Sequence, residues 1–246
     1  MIDIVDVSKS YYEFPVLEDI TFTAESNSIC GLIGYNGAGK TTLLRLIAGI
    51  YKPDNGSIII DGSPVFENTQ IKSRLFMLSE DIFFLPDASL NDMRDYYLGY
   101  YPAWDDKLYV SLCEGFKLNK KQKINSFSKG MRRQAGIILA FSANPLYLLL
   151  DEVFDGLDLS MRILMKSLLD SYIEKTGSTV IVTSHNLREL EDNIDKIVML
   201  NENRLAYVGS VDDIKKSHST LEEYFLSERD DLTKAFIGVF DEMRVI

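Results

Sequence analysis

The stretch Gly34-Tyr35-Asn36-Gly37-Ala38-Gly39-Lys40-Thr41-Thr42 constrains this chain more than any other. It fits the pattern G-x-x-x-x-G-K-[ST], with Gly34, Gly39, Lys40 and Thr41 at the fixed positions. Glycines permit the backbone angles that turn successive N–H groups inward, and such a nest at a helix N-terminus attracts anions. The flanks agree with that chemistry. Ser28 to Ile33, SICGLI, has the length and composition of a buried strand, and TTLLRLIAGI from Thr41 carries Leu43, Leu44, Ile47 and Ile50 at helical spacing. Strand, glycine loop and helix in this order predict a triphosphate site, with Lys40 on the outer phosphates and the Thr41 hydroxyl on the accompanying magnesium ion. A glycine turn that only packs a helix on a strand is the plainer alternative, and the agreement of motif and flanks weighs against it.

Composition narrows the partners. Among 246 residues, 26 basic against 37 acidic side chains give a net charge of -11, which argues against nucleic acid and against an electrostatic hold on anionic lipid. Cys30 and Cys113 are too few and too far apart for a disulfide framework or a metal knuckle, so both are expected to be reduced packing residues. Asp3 and Asp6 interrupt the apolar N-terminus, which has no basic region or cleavage site, and no secretory signal is expected. The uncharged span Gln134 to Leu150 falls short of the ~20 apolar residues of a membrane helix, and Asn144-Pro145 breaks it. A soluble intracellular chain is the expectation.

Residues 2–7 and 16–24 alternate like antiparallel strands, and Asp54-Asn55-Gly56 signals a turn into the apolar strand Ser57 to Ile60. Arg74 to Ser79 reads as another strand. From residue 81 to about 125 the character changes: Leu90 to Tyr101 and Asp105 to Phe116 read as helices, with Pro86 and Pro102 at breaks, which predicts a helical insert. Helix and strand then alternate again, through LYLLLDE at 146–152, a helix from Ser160 to about Lys175 and the apolar strand Thr179 to Thr183. Asn201-Glu202-Asn203 signals a hairpin, and a short helix starts at Val211. The tail from Ser217 mixes charges with Leu221, Tyr224, Phe225, Phe236 and Phe240 and reads as a small appended element.

A phosphate loop needs a carboxylate near its metal and a group to handle the attacking water. Leu148, Leu149 and Leu150 predict a buried strand that delivers Asp151 and Glu152 to its C-terminal end, the edge where open α/β sheets bind ligands. Asp151 is then the magnesium-shell residue and Glu152 the base or water-positioning group. Two acids closing an apolar run are also an ordinary strand end, but beside a phosphate loop the catalytic reading is preferred.

With these motifs in order, the chain resembles the nucleotide-binding subunit of ABC transporters from the first strand to about residue 215. Asn125 to Met131, NSFSKGM, looks like the family's signature segment: Phe127, Lys129 and Met131 depart from the usual LSGGQ, while Ser128 and Gly130 are retained. The resemblance implies the ABC ATPase fold, an α/β P-loop NTPase core with a mostly parallel sheet, an antiparallel β subdomain and a helical insert. It implies an ATP-binding domain over 1–216, with a helical subdomain at about 81–140, and a small extension over 217–246. ATP and Mg2+ are the implied ligands, lined by the loop from Gly34 to Thr42. Ser128 and Gly130 would bind the γ-phosphate held by the other subunit, so the active unit would be a homodimer or a pseudo-symmetric dimer. Ser128 can also serve as a helix cap, and the two roles are compatible.

Further roles follow from the same resemblance. Gly156-Leu157-Asp158 looks like the D-loop, in which Asp158 would couple the two sites, although Val153 stands where the family usually has proline. His185, closing TVIVTSH, would be the switch histidine that contacts the γ-phosphate and steadies the catalytic acid. Tyr11 stands where an aromatic ring stacks on adenine, with Tyr12 as the runner-up. Glu80 replaces the glutamine of the Q-loop at the metal edge; a carboxylate is the stronger hard-cation ligand but adds charge near phosphate, and an ordinary solvated acid is the alternative.

The aromatic stretch Asp95 to Asp106, DYYLGYYPAWDD, first predicts a small helical core, and beside it the family places the groove for its transmembrane partner. The implied partner is a separate integral membrane permease, which would hold this chain peripherally on the cytoplasmic face of the membrane. The KGM variant and the WDD segment look most like ATPase subunits of small bacterial exporters. A soluble ABC-type ATPase of a cytosolic assembly system, such as iron–sulfur cluster assembly, is the alternative. A GTPase is disfavoured, because Asn119-Lys120-Lys121-Gln122 lacks the aspartate of a guanine-reading loop.

Overall fold

The computed structural model describes the chain except residues 155–156, 185–193, 217, 219 and 228–246, and the side chains of 159, 222, 226 and 227. Two sheets organise it. Strands β1 (Ile2–Tyr11), β2 (Phe14–Ala24), β4 (Asn55–Ile60) and β5 (Ser63–Pro64) form an antiparallel sheet in the order β2-β1-β4-β5. The larger sheet runs β10-β9-β3-β8-β7-β6, from β3 (Ser28–Gly34), β6 (Leu75–Leu78), β7 (Tyr147–Asp151), β8 (Thr179–Thr183), β9 (Lys196–Asn201) and β10 (Arg204–Ser210). All its pairs are parallel except the β9–β10 hairpin. The expected mostly parallel core and antiparallel β subdomain are therefore both present. The first hairpin is longer than the alternation of 2–7 and 16–24 predicts, because bulges let the polar run Ser8 to Ser10 keep pairing with β2.

The central strands are buried on both faces, which is why they read as continuous apolar runs. Every residue of β7 and β8 is buried. Burial of each leucine of LLL contributes about 1.5–3 kcal/mol. One face of the sheet packs on helices α5 (Lys129–Ser142) and α6 (Leu159–Thr176), and the other meets the antiparallel sheet and α1 (Lys40–Ile47). Cys30 and Cys113 are free and buried, and burial pushes the Cys30 thiol up to about 12, so it packs rather than reacts.

The helical insert has its own core. Helices α3 (Leu90–Leu98) and α4 (Asp106–Gly115) pack on α5 around Leu90, Met93, Tyr109, Phe127 and Ile138. Helix α3 stops at Leu98 rather than at Tyr101, capped by Gly99 ahead of Pro102. Trp104 and Tyr97 pack against this cluster, so part of the aromatic stretch is core. Phe83, Tyr96, Leu98 and Tyr100 remain exposed. No helix among the described residues is long and apolar enough to cross a membrane.

Candidate active site

Strand β3 ends at Gly34, and the glycine loop leads straight into α1. Gly39 has φ 95°, and a Cβ there would stand 2.7 Å from Leu17 Cδ2 and 2.8 Å from the Val16 carbonyl oxygen, so only glycine fits. Helix α1 starts on this residue with no side-chain cap and no acid in its first turn. The other helices with a described cap, α2 (Thr69–Lys72), α3, α4, α5, α6 and α7 (Val211–Lys215), begin on Asn68, Ser89, Asp105, Ser128, Asp158 and Ser210, and each of those side chains accepts an amide of its first turn. An uncapped N-terminus keeps its partial positive charge for an outside anion. Lys40 is buried beside it, and its ammonium donates to the Gly34 carbonyl at 2.7 Å and the Tyr35 carbonyl at 3.1 Å.

Strand β7 delivers its acids two strands away. With β8 between them, the ends of β3 and β7 lie about 10 Å apart, which leaves room for a phosphate and a hydrated ion. Asp151 is 3% exposed and accepts a 2.8 Å hydrogen bond from the Thr183 hydroxyl. The same hydroxyl accepts the Glu152 amide at 2.9 Å. Glu152 has φ 54°, a left-handed conformation that costs a non-glycine residue about 1–2 kcal/mol and that turns the chain out of the strand. Thr183 therefore ties both acids to the end of the next strand. The sequence gives it no role, and the only signal is a hydroxyl closing the apolar run TVIVT.

These elements border one cleft of about 480 Å³, lined by Asn36, Gly37, Gly39 to Thr42, Val16, Glu80 and Glu152. Glu80 thus faces the phosphate loop from the end of β6, and it also borders a second cleft of about 340 Å³ that reaches Phe127, Lys129 and Arg132. Of the two tyrosines, Tyr11 lies on the loop: its hydroxyl is 3.5 Å from Thr42 Oγ1 and its ring meets Tyr51 edge-on at 6.1 Å. Tyr12 is fully exposed in the hairpin turn. Ala38 is buried, and the ring of Tyr35 turns away from the cleft's lining onto Phe225.

A family model described as "ABC transporter" matches residues 17–155. The chain belongs to the ABC transporter family. It is 29% identical over 225 residues to the ABC transporter ATP-binding protein YtrB of Bacillus subtilis (strain 168), covering 92% of this chain and 77% of that protein. It is 30% identical over 226 residues to the ABC-type transporter ATP-binding protein EcsA of the same organism, covering 88% of this chain and 90% of that one. A solved ATP-binding subunit of an ABC transporter superposes with a TM-score of 0.85 at 26% identity, over 92% of this chain and 98% of that one. The protein is an ATP-hydrolysing subunit of the ABC type, and its two sheets and helical insert are the ABC ATPase fold.

Ser128, Gly130 and Asp158 of this ABC ATPase do not line the cleft. Ser128 is exposed at the N-terminus of α5, where its hydroxyl accepts the Met131 amide at 3.3 Å. Gly130 is exposed beside it, and a Cβ there would meet nothing within 4 Å. Phe127 is buried in the insert core. Asp158 caps α6 through the Met161 amide at 2.9 Å, and the Ser160 hydroxyl bonded to it holds its carboxyl below the usual range. His185 lies outside the described residues. The oxygen donors Thr41, Asp151 and Glu80 suit a hard cation. Among the described residues no three His, Cys, Asp or Glu side chains group to hold a metal ion by themselves.

Proposed function

We propose that this chain is the ATP-hydrolysing subunit of a transporter whose membrane-spanning permease is a separate polypeptide, and that two copies, or this chain and a close relative, close around two ATP molecules. The observation that carries this reading is the uncapped α1 N-terminus, with Lys40 beside it, sharing one cleft with Glu80 and Glu152. The loop amides and Lys40 hold the outer phosphates, with Lys40 exchanging the Gly34 and Tyr35 carbonyls for phosphate oxygens. Tyr11 stacks on the adenine. Thr41, Asp151 and Glu80 would hold magnesium, which when bound neutralises charge on the phosphates.

Glu152 accepts the proton of the attacking water, and His185 contacts the γ-phosphate. Ser128 and Gly130 of one subunit cover the γ-phosphate held by the other, and their exposure leaves them open to such a partner. Asp158 couples the two sites. The catalytic domain is taken as 1–216, with the helical subdomain at about 81–140 and the extension at 217–246.

The exposed rings of Phe83, Tyr96 and Tyr100 would receive a helix of the permease. Gly136 lets the segment after Glu80 sit close on α5, since a Cβ there would stand 2.7 Å from Ile82 Cδ1. Movement at that segment is therefore felt at Glu80, and so in the cleft. Export is favoured by Lys129-Gly130-Met131 and Trp104-Asp105-Asp106, which look like segments of small bacterial exporters, although one relative at 30% identity is named a methionine import ATP-binding protein. Affinity purification from detergent-solubilised membranes tests the reading. It should retain an integral membrane protein, and retention of cytosolic partners alone would contradict it.

A further inference from the structure

The C-terminal segment reaches the phosphate loop. Leu221 is fully buried in the main core with Val211 and Ile214, which fixes helix α8 (Leu221–Ser227) to the end of the larger sheet. Tyr224 meets Tyr207 of β10 at 5.4 Å and His218 at 5.1 Å, both edge-on. Phe225, on the same helix, lies against the ring of Tyr35 with centroids 4.4 Å apart. The Tyr35 hydroxyl also donates to the Phe225 carbonyl at 3.4 Å. On its backbone side, the Tyr35 carbonyl accepts the Lys40 ammonium at 3.1 Å. One loop residue thus carries the helix on its ring and the phosphate-binding lysine on its backbone.

We propose that helix Leu221–Ser227 is a brace that holds the phosphate loop in its nucleotide-binding shape, with Phe225 and Tyr35 as the positioning pair. The proposal rests on the loop being the ATP site, as read above. A glycine loop gives up more conformational freedom on ordering than other backbone. The loop tip is open to solvent at Gly37, φ 84°, where a Cβ would find nothing within 4 Å. A fixed point at Tyr35 reduces the ordering cost that nucleotide would otherwise bear, and such preorganisation is expressed as affinity. Aromatic pairs of this kind correspond to about a two- to tenfold change in Kd.

Equilibrium binding of a fluorescent, non-hydrolysable ATP analogue to the full chain in magnesium buffer tests this. Phe225→Ala and Tyr35→Ala should each raise Kd about two- to tenfold. The double variant should bind no more weakly than the weaker single, because either change removes the same contact. Phe225→Tyr keeps a ring and should restore the affinity. In steady-state ATP hydrolysis the loss should be larger in kcat/KM than in kcat. Unchanged Kd in both single variants, or a double variant equal to the product of the singles, would overturn the brace. Lys40→Ala measured alongside separates the two levels of the argument. If it binds as well as the wild type, the site reading falls and takes the brace with it. If it loses binding while Phe225→Ala and Tyr35→Ala do not, the brace alone falls.

Discussion

Helices α1 and α5 each present an N-terminus that the functional reading assigns to phosphate, and they begin in opposite ways. Helix α1 opens on Gly39 with no side chain over its first turn, whereas α5 opens on Ser128, whose hydroxyl already holds the Met131 amide. The uncapped end can give its backbone N–H groups to an anion directly. The capped end has an amide engaged by its own serine, so what it offers a second subunit is a side-chain hydroxyl and the bare surface at Gly130. In the proposed reading, one end is a site made of backbone and a lysine, and the other would complete a site in a second subunit. Changes at α1 should therefore act within a subunit, and changes at Ser128 across a pair of them.

The largest expected effect lies in the chemistry that both ends serve. Glu152→Gln should lower ATP turnover by about 10²–10⁴-fold, because an amide cannot accept the water's proton. Nucleotide affinity should stay near the wild-type value, and an ATP-bound dimer should accumulate in size-exclusion chromatography with light scattering. Turnover at the wild-type rate would place the base elsewhere.

Lys40→Ala comes next. It removes the ammonium over the loop, and the loss of charge-assisted hydrogen bonds should weaken ATP binding about a hundredfold. Isothermal titration with unchanged affinity would break the comparison at its first term, since α1 would then not be the phosphate end.

Thr183→Val sharpens the account of how the acids are held. Valine conserves shape but leaves Asp151 without its donor and the Glu152 amide without its acceptor, a cost of about 1–3 kcal/mol. In a chain of this size each kcal/mol corresponds to about 2–4 °C in Tm. A lower melting temperature together with a roughly tenfold slower turnover at saturating ATP is expected. A lower Tm with full turnover would make Thr183 a purely structural tie.

The smallest effect is expected at Glu80. Glu80→Gln removes a charge near the phosphates and weakens a hard-cation ligand, so metal-free ATP binding should tighten and half-maximal hydrolysis should need more metal, by about two- to fivefold. Magnesium and manganese titrations of both proteins at matched ionic strength check this. Superimposable curves with equal metal-free affinity would make Glu80 a solvated acid that only borders the cleft.

Much of the fold is written in local signals. The glycine loop needs backbone conformations that few other residues adopt, and LLL and TVIVT are apolar because those strands are buried on both faces. Contacts between distant segments leave no such trace. Thr183 acquires its role only when β8 pairs with β7 and brings its hydroxyl to Asp151. Phe225 reads as one of several tail aromatics, and its contact with Tyr35 spans 190 positions. Tyr11 and Tyr12 are adjacent in sequence, and the hairpin register is what lays one on the loop helix and turns the other to solvent. Ser128 shows the converse: its capping bond is local and expected, while its proposed role across a subunit boundary is a matter for two chains.

The contrast between the two helix ends is tested most directly by mixing Lys40→Ala chains with Ser128→Arg chains. Each variant alone should hydrolyse little ATP, the first because its own loop is disabled and the second because its arginine obstructs the partner's site. In a mixed dimer, the Ser128→Arg chain contributes an intact phosphate loop that faces the intact Ser128 of its Lys40→Ala partner, so one composite site is wholly wild type. Hydrolysis should therefore recover to a substantial fraction of one wild-type site, rising with the population of mixed dimers measured by native mass spectrometry. Mixed dimers that form and hydrolyse no more than the separate variants would contradict the account, because the capped end of α5 would then not complete the site at the uncapped end of α1.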